Sequence, residues 1–106
     1  MAKINIQFTL FSAFYSPLIS TMSGGFLEAE GLEPDWSVAP PGKSAIDALL
    51  DGSANVVQSA LSQGFTTLDK GEIPKVKHFA QINEMDGFFL TGRDADPDFS
   101  WDKLEG

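Results

Sequence analysis

Ile4, Ile6, Phe8 and Leu10 alternate with polar neighbours at the start of the chain, a period of two that predicts a first strand over residues 3–11. Ser16-Pro17 reads as a helix start, with serine at the N-cap and proline in the first helical position. Leu18, Ile19, Met22, Phe26 and Leu27 follow at helical spacing, so one helix is expected to run toward Gly31, which suits a left-handed stop. Gly24-Gly25 lies inside that helix, where each glycine costs about 1 kcal/mol relative to alanine. Close helix-on-sheet packing is the preferred reading of the pair, over a hinge.

Trp36 and Val38 fall in a short second strand, 33–39, closed by the turn residues Pro40-Pro41-Gly42. Ile46, Leu49 and Leu50 share one face of a helix starting at Ser44, with Asp47 near its N-terminus and Gly52 as its stop. Ala54 to Gln58 reads as a third strand, buried on both faces if the sheet is parallel. Ser59 is placed to cap the next helix, in which Leu61, Phe65 and Leu68 recur at spacings of four and three before Gly71. Residues 75–82 and 87–92 read as two further strands, followed by a loop entering a short helical turn.

Strands alternating with helices predict an α/β fold with a mostly parallel sheet flanked by helices, as one domain. In such sheets ligands sit beyond the carboxyl ends of the strands. Here those places are residues 11–16, 39–44 and 58–59, each ending in a serine at an expected N-cap. Helix starts meeting on one edge would offer unpaired N–H groups to an anionic or strongly polar ligand.

Composition narrows the chemistry. Net charge is −8, with no basic cluster, so nucleic-acid binding has no electrostatic footprint. From Glu84 to Gly106 seven acids face only Arg93 and Lys103. The absence of cysteine removes disulfides, thiolate chemistry and cysteine-based zinc sites. The opening MAKINIQFTL has strand patterning and lacks the continuous apolar run of a signal peptide. Nucleophile-elbow, Walker and dinucleotide-binding motifs are missing, as is a metal-spaced His/Glu set. His78 stands alone in a strand pattern, which favours a packed or surface role.

Candidate ligand contacts follow from the three loops. Phe11, Ser12, Phe14 and Tyr15 could stack on a planar ring and hydrogen-bond to it, although the phenylalanines equally suit covering the end of the core. Beside Pro41, Gly42 permits close backbone approach, while Lys43 could neutralise an anion or stay solvated. Ser44, Gln58 and Ser59 add polar groups. Asn83, with Glu84, could reach the same cleft or serve a turn.

The ordered phrases GGFLEAEGLEPDWSVAP, SAIDALLDGSANVV and FFLTGRDADPDFSWDKLEG resemble the substrate-binding components of ABC importers. The similar branch includes nitrate-, sulfonate- and taurine-binding proteins and thiamine-pyrimidine-precursor binding proteins, of the type II periplasmic-binding-protein fold. The resemblance implies that residues 1–106 form most of the first lobe of a two-lobed solute receptor, ending before the crossover into the second. It also implies a small-molecule ligand, a membrane permease as partner, and a periplasmic or extracellular lipid-anchored location. A sheet lacking the strand that returns from the second lobe is expected to self-associate. An enzyme-like relative, the yeast-type pyrimidine synthase of thiamine biosynthesis, holds pyridoxal phosphate on a lysine and consumes a histidine. Ser59 and Gln63 occupy those positions here, and serine cannot form the Schiff base, so no cofactor is expected. A free-standing flavodoxin-like regulatory domain would suit the strand–helix order but not the ordered phrases.

Overall fold

The computed structural model describes residues 1–85 and 89–104. Three strands, β1 (Ala2–Phe8), β2 (Leu32–Val38) and β3 (Val56–Gln58), form one sheet in the order β2-β1-β3, with both pairings parallel. Helices flank it: α1 (Ser16–Ser23), α2 (Phe26–Ala29), α3 (Ala45–Leu50) and α4 (Phe65–Asp69), with short 3-10 turns at Ala13–Tyr15, Leu61–Gly64 and Trp101–Leu104. The chain is α/β, as its patterning predicts.

Register decides which side chains meet. Ile4 pairs with Pro34, Ile6 with both Trp36 and Val56, and Phe8 with both Val38 and Gln58, so these residues share one face. The opposite face carries Lys3, Asn5 and Gln7 beside Glu33, Asp35 and Ser37. The central strand carries the core: Phe8 is fully buried and Ile6 nearly so, joined by Ala45, Ala48 and Ala54. Burying a phenylalanine side chain is worth roughly 1.5–3 kcal/mol, so Phe8 is the principal anchor.

Several elements differ from the sequence expectation. The helix expected to run through Gly24-Gly25 breaks there into α1 and α2. Gly25 takes a φ of 75°, and a Cβ on Gly24 would lie 2.8 Å from the Ser20 carbonyl oxygen and 2.7 Å from the Phe26 ring. The pair is therefore a helix break with Phe26 folded over it. Residues 75–82 form no strand, and neither do residues 89–92, while residues 87–88 of that second expected strand lie outside the described residues. An alternating pattern becomes a strand only when a neighbour supplies the ladder. Finally, β3 is shorter than 54–58, and Val56 and Val57 are half-buried where burial on both faces was expected.

Candidate functional site

All three strands run the same way, and Phe8, Val38 and Gln58 lie in register at their carboxyl ends. Backbone bonds extend the pairing by one residue: Ala39 N–H donates to Phe8 at 2.8 Å, and Thr9 N–H to Gln58 at 3.2 Å. The loops beginning at Thr9, Ala39 and Ser59 therefore leave from one edge of the sheet. This edge gathers most of the residues that the sequence singles out.

In the first loop, Ser12 caps the 3-10 turn by accepting from Phe14 N–H at 3.3 Å. Ser16 does not cap α1 as expected; it is the first helical residue, after Tyr15, and its hydroxyl donates to the Ala13 carbonyl. Phe11 stacks on Trp36, with centroids 4.8 Å apart and planes 20° from parallel, and meets Phe8 edge-on at 5.6 Å. Phe14 and Tyr15 form a T-shaped pair at 5.3 Å, with the Tyr15 ring 6.5 Å from Phe8. Asn83 joins this loop from far along the chain, its side-chain nitrogen donating to the Phe14 carbonyl at 2.8 Å.

The second loop is a β-turn in which Lys43 N–H donates to the Pro40 carbonyl at 3.1 Å. Gly42 has a φ of 77°, the left-handed position such a proline-led turn requires. Ser44 ends the loop in a capping box: its Oγ accepts from Ile46 N–H, and its own N–H donates to the Asp47 carboxylate. The start of α3 is thus already occupied by a side-chain oxygen and a negative charge, which opposes an anion there. Lys43 stands exposed near Asp51. Hydrogen bonds from Ser53 hold the Asp51 carboxyl below its ordinary value, with Lys43 adding to that pull.

In the third loop Gln58 is 8% exposed, and Thr9 Oγ1 lies 3.3 Å from its carbonyl oxygen and 3.4 Å from Oε1. Ser59 does not cap the following turn; that position falls to Ala60, and the Ser59 hydroxyl donates to the Ala60 carbonyl at 3.4 Å. Gln63, which the patterning did not mark as a ligand contact, accepts from Ser44 Oγ at 3.2 Å and ties the third loop to the second. Only its place in the resemblance hinted at it. Elsewhere, His78 is exposed beside Gly64, and among the described residues no cluster of His, Asp or Glu could hold a metal ion.

Two cavities lie along the sheet, and of the candidate residues only Phe11 lines either. One, of about 250 Å³, lies between α1 and β2 and is lined by Phe11, Ile19, Met22, Pro34 and Trp36. The other, of about 270 Å³, lies between Leu49, Val56 and Val57 on one side and Lys75, Lys77 and Phe79 on the other.

Along its whole length the chain is similar to a binding protein. It is 29% identical over 106 residues to the "Putative binding protein YtlA" of Bacillus subtilis (strain 168), and it spans 32% of that protein's length. No family model matches the chain. No solved structure matches it.

Proposed function

We propose that the chain is the first lobe of a two-lobed, non-catalytic solute receptor serving an ABC import system. The observation that carries this reading is the register of Phe8, Val38 and Gln58, which brings three loops to one edge of a parallel sheet. Thr9–Gln58, Ser44–Gln63 and Asn83–Phe14 contacts then tie those loops to each other and to the later chain. Such an edge is where open α/β sheets hold small ligands. Similarity along the chain to a protein named as a putative binding protein supports the binding part of this reading.

The solute is captured between this edge and a facing lobe, and contacts to both lobes shift a hinge equilibrium toward the closed form. The closed form is what a membrane permease recognises, which places the receptor outside the cytoplasmic membrane. Among ligands, a planar polar heterocycle such as a thiamine pyrimidine precursor is favoured over nitrate or a sulfonate. Tyr15 and Phe14 offer ring faces, whereas the start of α3 is closed to anions by Asp47. A thermal-shift screen of the longer protein carrying this lobe, against pyrimidines, sulfonates and oxyanions, tests the reading. A melting-temperature rise with one class and no chemical conversion of that ligand is expected. No rise with any class, or turnover of the ligand, would overturn it.

A further inference from the structure

The groove of about 270 Å³ beside β3 has two unlike walls. Leu49 and Leu50, at the end of α3, join Val56 and Val57 of β3 to make one wall apolar. Facing them, Lys75 and Lys77 line the groove with Phe79, on a segment that forms no strand. Neither lysine forms an ion pair or a hydrogen bond among the described residues, and no aspartate or glutamate lines the groove. Asn55 is the other polar residue there, and its side-chain oxygen is already held by Asn5 N–H at 2.8 Å. The groove is separate from the carboxyl edge, since Gln58, Ser59 and residues 11–16 and 39–44 do not line it.

Apolar walls favour a hydrocarbon chain or ring, while two uncompensated ammonium groups favour an anionic head. A cation meets like charge here, and a neutral alcohol gains only the walls. At about 30 Å³ per water-sized group, the groove holds roughly nine non-hydrogen atoms. That suits a short carboxylic acid, but is fewer than the backbone atoms of a strand matching the three residues of β3. We propose that this groove is a binding site, distinct from the carboxyl edge, for a small amphipathic carboxylate. Its apolar part rests on Leu50, Val57 and Phe79, and its carboxylate lies between Lys75 and Lys77.

Backbone amide titration of the 106-residue chain with hexanoate, hexanol and hexylammonium tests the site, because the three share one chain length and differ in charge. Saturable shifts at residues 49–50, 55–57 and 75–79 are expected with hexanoate. Two partly solvated charge contacts should make hexanoate at least about threefold tighter than hexanol, with hexylammonium weaker than both. Lys75→Gln combined with Lys77→Gln alters only exposed side chains. It should lower hexanoate affinity to that of hexanol and leave hexanol binding unchanged. Equal affinity for hexanoate and hexanol, hexylammonium binding as strongly, or no loss in the doubly substituted chain would overturn the proposal. So would hexanoate shifts confined to residues 11–16, 39–44 and 58–63, which would assign the anion to the carboxyl edge. Groove amides that move on dilution alone, with no displacement by hexanoate, would give the groove to a second copy of the chain and overturn it likewise.

Discussion

The side-chain nitrogen of Asn83 donates to the carbonyl oxygen of Phe14 across 2.8 Å, joining residues 69 positions apart. Between them lie β2 and β3 but not the central strand, so this bond fastens the aromatic loop to the segment that follows α4. Asn83→Ala removes a single neutral hydrogen bond, worth about 0.5–1.5 kcal/mol. Faster amide hydrogen exchange at Tyr15, whose N–H donates to Ser12, is expected, with exchange in β1 unchanged. Unchanged exchange at Tyr15 would show that the loop holds itself.

Ser44 serves two loops at once, capping α3 and hydrogen-bonding to Gln63. Losing an N-cap serine costs about 0.5–2 kcal/mol, so Ser44→Ala should lower the urea midpoint by that equivalent. A smaller loss is expected for Ser44→Asp, which restores a cap acceptor but cannot donate to Gln63. Equal losses for the two substitutions would assign the effect to Gln63 and not to the cap.

The glycine pair offers a backbone test. Gly25→Ala places a side chain at a φ of 75°, a left-handed conformation costing roughly 1–2 kcal/mol for an L-residue. Gly24→Ala should cost more, because its Cβ would collide with backbone at Ser20 as well as with the Phe26 ring. Equilibrium urea unfolding ranks the two, and the reverse order would contradict the helix break described here.

Asp51 supplies a pH signature. Hydrogen bonds from Ser53, then the nearby Lys43 charge, favour its carboxylate and hold its folded pKa below the ordinary 3.8. A depressed carboxyl contributes stability above its unfolded value, and that contribution is lost as pH falls through the folded value. The Ser53 amide resonance, whose N–H donates to Asp51 at 2.8 Å, should therefore titrate with a midpoint below 3.8. A midpoint at or above 3.8 would show that the Ser53 bonds do not persist in solution.

Exposed apolar surface sets a further expectation. β3 is paired on one side only, and Leu61, Phe65 and Phe79 are more than half exposed. Unpaired strand edges recruit other chains, so light scattering of the 106-residue chain should show mass rising with concentration. Val57→Lys, a charged edge residue, should reduce that rise. A strictly monomeric unsubstituted chain would contradict the expectation.

Much of this architecture was legible because its signals are local. Alternation in Ile4, Ile6 and Phe8, the Ser44–Asp47 capping pair, and positive-φ glycines at positions 31, 52 and 71 depend on neighbours within a few residues. Residues 75–82 also read as a strand and formed none, since pairing belongs to two segments and a sequence pattern describes one. Gly24-Gly25 was ambiguous for a similar reason: only the position of the Phe26 ring distinguishes a helix break from close packing. At the candidate site, the three loops were readable from topology, while the partnering of their side chains was not. Ser59 and Ser44 look alike as caps in sequence, yet only Ser44 caps, because Ser59 is followed by Ala60 at the start of the 3-10 turn.

The most direct measurement is backbone chemical-shift mapping of this chain against millimolar pyrimidines, sulfonates and oxyanions. The account predicts weak binding by one class, with shifted amides confined to residues 11–16, 39–44 and 58–63 at the carboxyl edge. Shifts centred on the opposite strand ends, around Ala2, Leu32 and Val56, would contradict it.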